Sequence, residues 1–229
     1  MRPLLAFFTR IPARGELEEA RKDIWMLPLL APITTAPAAV ILYFQPPFAN
    51  VLAVLALYLT IGLLHLDGLA DFADGVMVKG DRERKIKAMK DVNTGIAGLF
   101  AAVMVLLIQA ETLSVLPFYA LYLAELNSKF AMLLALATRR PLGQGLGRFF
   151  MEGMDGERLL LGTFLYALLL APAVIYDSRA LLVVVGLLVG AYTIKLALDN
   201  FGGLNGDCIG AVAEVTRAGT LLTLAVGLC

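Results

Sequence analysis

The chain has 229 residues, 59% of them hydrophobic and only 17% charged, with a mean hydropathy of +0.80, where a soluble domain carries about a quarter charged residues. Its 19 basic and 19 acidic residues cancel and collect in short blocks between apolar runs. That pattern excludes a water-soluble globule and a disordered chain, and it leaves no overall field to draw nucleic acid.

The apolar piece at residues 3–8 is followed by Arg10 and Pro12 without a small-residue cleavage site, so a removable signal peptide is not expected. Apolar spans then fall at residues 24–44, 51–64, 96–116, 118–138, 159–175, 180–198 and 209–228. They predict an all-α, polytopic integral membrane helix bundle in one domain, with about seven transmembrane helices and six as the alternative. Pro28, Pro32 and Pro37 should kink the first span, and the short links at 45–50 and 176–179 read as turns between antiparallel neighbours. Cys208 and Cys229 match no metal spacing and make no disulfide framework.

Lysine and arginine are distributed unevenly over the links. Arg2, Arg10, Arg14, Arg21 and Lys22 precede the first span, six basic residues lie at 79–90, and Arg139, Arg140, Arg148 and Arg158 follow the fourth. The alternate links carry Arg179 alone. Positive residues are retained inside, so the N-terminus and the links at 65–95, 139–158 and 199–208 are expected on the cytoplasmic side of the cell membrane, and the C-terminus outside.

Residues 65–75 read H-L-D-G-L-A-D-F-A-D-G, three carboxylates with no basic partner directly after an apolar span. At 3.6 residues per turn, Asp67, Asp71 and Asp74 share one face of a helix, and their mutual repulsion is resolved by a divalent cation. Hard oxygen ligands select Mg²⁺, with Mn²⁺ as a substitute. His65, about 200° around from Asp67, lies off that face and is suited to proton transfer, a phosphate hydrogen bond or interfacial packing. The basic stretch that follows reads either as a face for anionic headgroups or as a funnel for a phosphorylated substrate. In the second case Asp91 and Asn93 offer oxygen ligands or hydrogen bonds beside Lys90. Arg139 and Arg140 adjoin a glycine-rich turn that could hold a phosphate.

In the fourth span Glu125 and Lys129 stand at i and i+4 and predict a salt bridge. Residues 201–214, F-G-G-L-N-G-D-C-I-G-A-V-A-E, form a glycine-rich loop leading into the last span. Asp207 and Glu214 should share a face there, with Arg217 poised to pair with Glu214. Asp207 is expected at the same depth as Asp67, so the two loops could meet in one cavity.

Taken in order, F-F-T-R-I-P at 7–12, the 65–75 stretch, M-K-D at 89–91, the G-Q-G-L-G turn and the G-G-L-N-G-D-x-x-G-A-x-x-E closing segment resemble the cobalamin synthase family, the adenosylcobinamide-GDP ribazoletransferases. The resemblance runs nearly end to end, with Lys129 where that family more often has arginine and Asn205 where threonine is common. It implies a membrane enzyme that joins adenosylcobinamide-GDP to α-ribazole or α-ribazole 5′-phosphate and releases GMP with Mg²⁺. It further implies metal ligation by Asp67, Asp71 and Asp74, with Asp91 or Asp207 completing a second site. Lys90, Asn93, Lys129, Arg139, Arg140 and Asn205 would hold the substrate, and His65 or one of the acids would take the hydroxyl proton. The lipid bilayer is the expected surroundings, nucleic acid is not an expected partner, and a homo-oligomer is left open. Two other readings stand beside it: a CDP-alcohol phosphotransferase-like lipid enzyme, and a small cation transporter lined by the same acids.

Overall fold

The computed structural model describes residues 1–228; Cys229 lies outside the described residues. Two short helices, α1 (Arg2–Phe8) and α2 (Leu17–Lys22), precede a 3-10 segment, Ile24–Leu29, that runs into α3 (Leu30–Phe44). Pro28 lies in the 3-10 segment, while α3 continues through Pro32 and Pro37 as one helix. The remaining helices are α4 (Ala49–Ile61), α5 (Leu64–Met77), α6 (Arg82–Met89), α7 (Ile96–Leu113), α8 (Ala120–Ala137), α9 (Leu146–Glu152), α10 (Gly156–Tyr176), α11 (Val183–Phe201) and α12 (Gly206–Leu228). Asp81 and Asp155 cap α6 and α10 by accepting the Arg84 and Arg158 amides at 2.9 and 2.8 Å.

Among the described residues, six helical stretches are long and apolar enough to cross a membrane, and a seventh arises if α4 and α5 count as one broken span. The second span ends before the aspartate stretch, which forms a helix of its own. The chain turns by 96° between α4 and α5, at Gly62, whose φ of +80° is readily open only to glycine. The 13 residues of α4 reach about 20 Å, less than a hydrocarbon core, and α5 turns across the end of the bundle instead of prolonging it.

The central column is α8, buried along most of its circumference; α12 is next, while α10 and α11 leave rows such as Leu160, Phe164, Leu168 and Val184, Val185, Leu188 outward. That inverted pattern, polar inside and apolar outside, is what a bilayer demands. Gly186 and Gly190, one turn apart on α11, lie against Thr220 and Thr216 of α12, where side chains would hold the two helices apart.

Both ion pairs expected from sequence form, and the fold joins them into one network. Lys129 meets Glu125 at 2.9 Å, Arg217 meets Glu214 at 2.6 Å, and the Arg217 guanidinium also donates to Glu125 at 2.6 Å, all four side chains being fully buried. Tyr58 of α4 donates to Glu214 at 2.5 Å and accepts from Gln109 of α7 at 3.0 Å. Two cations and two anions therefore neutralise each other in the bundle core and pin α4, α7, α8 and α12 together. A second cluster sits nearby, where Asn127 donates to the Val183 carbonyl and to Thr220 and accepts from Tyr166.

Candidate active site

Helix α5 is amphipathic at close quarters. His65, Gly68, Leu69, Phe72 and Gly75 form its buried side, which leaves Asp67, Asp71 and Asp74 on the less buried flank. The expected separation of His65 from the carboxylate face is therefore what the structure has. The buried side lies on the start of α12. A methyl group at Gly68 would stand 2.9 Å from the Asp207 Cα, and one at Gly210 would stand 3.0 Å from the His65 carbonyl, so the two backbones approach without side chains between them.

That contact brings Asp207 to the aspartate stripe. The charges of Asp207, Asp67 and Asp74 all bear on Asp71, so four carboxylates drawn from two distant parts of the chain share one patch. Asn205 fixes Asp207 from the preceding loop. Its Oδ1 accepts the Cys208 amide at 3.0 Å as the cap of α12, and its Nδ2 donates to the Asp207 carboxylate at 2.6 Å. The loop carrying Asn205 is tied to the arginine-rich turn by a short parallel bridge. The Leu204 amide donates to the Arg140 carbonyl and the Leu142 amide to the Leu204 carbonyl, both at 2.8 Å. Arg139, next to the bridge, has a left-handed backbone with φ of 51°.

Lysine and arginine residues lie on the adjoining loops. Lys90 acts electrostatically on Asp207, and its Nζ lies about 4 Å from where a side chain at Gly143 would begin, so it spans the gap to the arginine-bearing turn. Arg139 and Arg140 are exposed there. Lys85 is committed elsewhere, donating to Asn200 of α11 at 2.5 Å and docking α6 on the bundle.

Four of the sequence candidates have other employment. Both Asp74 oxygens accept backbone amides at the start of α7, from Gly95 at 2.6 Å and Gly98 at 2.9 Å, so this carboxylate caps a neighbouring helix as well as bordering the patch. Asp91, fully exposed after α6, accepts the Asn93 backbone and side-chain N–H groups, which hold its carboxyl below the usual range; Asn93 is thereby turned toward Asp91. Lys129 is enclosed in the core network, where it is paired with Glu125.

The acidic patch bears on the expected metal as follows. Among the described residues no three His, Cys, Asp or Glu side chains converge on a single point, so the protein does not by itself offer a closed cage. Mg²⁺ is commonly held by one or two carboxylates, with water and substrate phosphates completing its octahedron. Asp67, Asp71 and Asp207, whose oxygens are not consumed by backbone amides, are the carboxylates from which one or two such ligands could be drawn.

Sequence reasoning missed the apolar neighbour of this patch. A cavity of about 180 Å³ opens beside Asp207 and His65 and is walled by Phe8, Met132, Leu136 and Phe150 among others. Only the aromatic cluster at residues 7–8, read as part of an opening motif, hinted at it. The roles of Tyr58 and Gln109 were likewise open to sequence as polar groups inside apolar spans.

A sequence profile of the cobalamin-5-phosphate synthase family matches residues 1–225. The chain is similar to proteins named adenosylcobinamide-GDP ribazoletransferase from several archaea. One from Thermococcus gammatolerans is 70% identical over 226 residues, 99% of this chain and 97% of the relative. One from Pyrococcus abyssi is 62% identical over 229 residues, 100% of this chain and 99% of the relative. A more distant one from Archaeoglobus fulgidus is 34% identical over 234 residues, 99% and 96% of the two chains. No solved structure matches the chain.

Proposed function

The chain belongs to the cobalamin-5-phosphate synthase family and is an enzyme of cobalamin synthesis, and from that premise we propose that it joins adenosylcobinamide-GDP to α-ribazole, or to its 5′-phosphate, in a Mg²⁺-assisted transfer. Membership sets aside the CDP-alcohol phosphotransferase and cation-transporter readings. The observation that carries the proposal is the meeting of Asp71 and Asp207 in one carboxylate patch bordered by Lys90 and the Arg139–Arg140 turn.

In the proposed reaction a ribose hydroxyl oxygen bonds to the phosphorus attached to the cobinamide arm. The bond from that phosphorus to the bridging oxygen breaks, and GMP leaves with the electron pair. Such transfer needs positioning and charge stabilisation more than a protein nucleophile. Lys90, Arg139 and Arg140 would hold the pyrophosphate, and Asn205 keeps Asp207 oriented. Mg²⁺, held through one or two of Asp67, Asp71 and Asp207, would supply charge neutralisation at the phosphates. The hydroxyl proton passes to a carboxylate of the patch. The clustering of basic residues on the links supports placing this end of the bundle, with the N-terminus, on the cytoplasmic side of the cell membrane.

The test is reconstitution. Purified protein in liposomes, given adenosylcobinamide-GDP, Mg²⁺ and, in separate arms, α-ribazole or its 5′-phosphate, should release GMP and form one new corrinoid by chromatography. EDTA should abolish both and Mg²⁺ or Mn²⁺ restore them. Full turnover in EDTA would overturn the metal assignment, and no product with either nucleoside form would overturn the transfer itself.

A further inference from the structure

Resting on that reading of the chain as a transferase to a nucleoside, we propose that the apolar cavity beside Asp207 is the binding place of the nucleoside's flat, nitrogen-bearing base, with His65 hydrogen-bonded to a ring nitrogen. The cavity lies where α1, α5, α8, α9 and α12 meet, at the carboxylate end of the bundle. An apolar cavity of about 150 Å³ accepts a benzene ring. At about 180 Å³, with an open side, this one suits a small fused heterocycle and has no room for a corrinoid.

Its walls match such a ring. Phe8 and Phe150 face each other with ring centroids 5.4 Å apart and planes at 47°, and Met132 and Leu136 of α8 complete an apolar surround for stacking. Two polar side chains break the apolar lining, His65 and Asp207. The His65 side chain is more than nine-tenths buried, and among the described residues no group hydrogen-bonds its imidazole. With no protein partner, the imidazole is free to hydrogen-bond a ring nitrogen of the base. An acyl chain, the competing occupant in a membrane protein, offers His65 nothing. Asp207 belongs both to this cavity and to the carboxylate patch, so a base seated here places its ribose at the acids where the hydroxyl must react.

The test needs no turnover. Benzimidazole and indole share a shape and differ in one ring nitrogen, so each is titrated onto the detergent-purified full chain by calorimetry. Benzimidazole should bind saturably and about tenfold more tightly than indole. Phe8→Leu and Phe150→Leu should each weaken it about tenfold, in keeping with base–aromatic stacking, while His65→Phe should erase the preference over indole. In the transferase assay Phe8→Leu should raise the KM for α-ribazole about tenfold and leave that for adenosylcobinamide-GDP within about twofold, a split that general unfolding would not give. Equal binding of the two rings, indifference to all three substitutions, or displacement of benzimidazole by palmitate would overturn the proposal. If the wild-type chain binds benzimidazole in this pattern but transfers nothing, the transferase reading fails and the cavity assignment stands. Transfer without ring binding upholds the transferase and overturns the cavity assignment.

Discussion

Gly68 of α5 and Asp207 of α12 are separated by most of the chain, yet the Asp207 backbone stands where a Gly68 side chain would be, 2.9 Å from the position of a first methyl carbon. The close approach is the hinge of the site, because it delivers Asp207 to the stripe on α5. Gly68→Ala should therefore force α5 off α12 and lower turnover at least about tenfold, a displacement of reacting groups being costly even when small. Gly156→Ala, at a helix start with open space around it, is the control and should keep wild-type activity. The measurement is GMP release per folded molecule in detergent.

Asp71 and Asp207 should act as a unit. Asp71→Asn and Asp207→Asn should each lower turnover about a hundredfold or more, and the double variant should lose far less than the product of the two. Independent, multiplying losses would separate the closing loop from the aspartate stripe.

Asp74 should betray its other duty in stability. Asp74→Ala strands the Gly95 and Gly98 amides at the start of α7 and should cost about 2 kcal/mol, each hydrogen bond being assisted by the carboxylate charge. Asp71→Ala, which relieves repulsion among like charges, should not lower the thermal midpoint in detergent. A midpoint unchanged in both would assign Asp74 to the site alone.

The buried ionic network predicts an inversion of the usual additivity. Removing Arg217 leaves Glu125 and Glu214 facing Lys129 alone, so Arg217→Gln should destabilise by about 3–5 kcal/mol. Adding Glu214→Gln restores neutrality and should recover part of the loss. Thermal unfolding of the single and double variants reads the difference, and a double variant less stable than Arg217→Gln would refute it.

Orientation is checked by cysteine labelling in intact cells. Labels near Arg84 and Gly145 should be protected and one near Pro46 should be accessible, as the basic links require. An accessible Arg84 position would reverse the assignment.

The helices, their number and the basic asymmetry were legible in the sequence because the bilayer imposes length and polarity locally, residue by residue. So were the spacing of Asp67, Asp71 and Asp74 on one face, the absence of His65 from that face, and the pairs Glu125–Lys129 and Glu214–Arg217, since all are contacts within a turn or two of one helix. The sequence by itself also determined the family, through motifs spread from residue 7 to residue 214.

Only the tertiary structure decided how those local pieces combine. Gly62 could have been one more glycine in a span, and the 96° turn it permits is what lays the aspartates across the end of the bundle. Arg217 linking Glu125 to Glu214, Asp74 capping α7, and Phe8 and Phe150 closing on one cavity beside Asp207 all join residues far apart in the chain. Helical periodicity fixes which face a residue occupies; which other helix that face meets is set by packing of the whole bundle, and no local spacing encodes it.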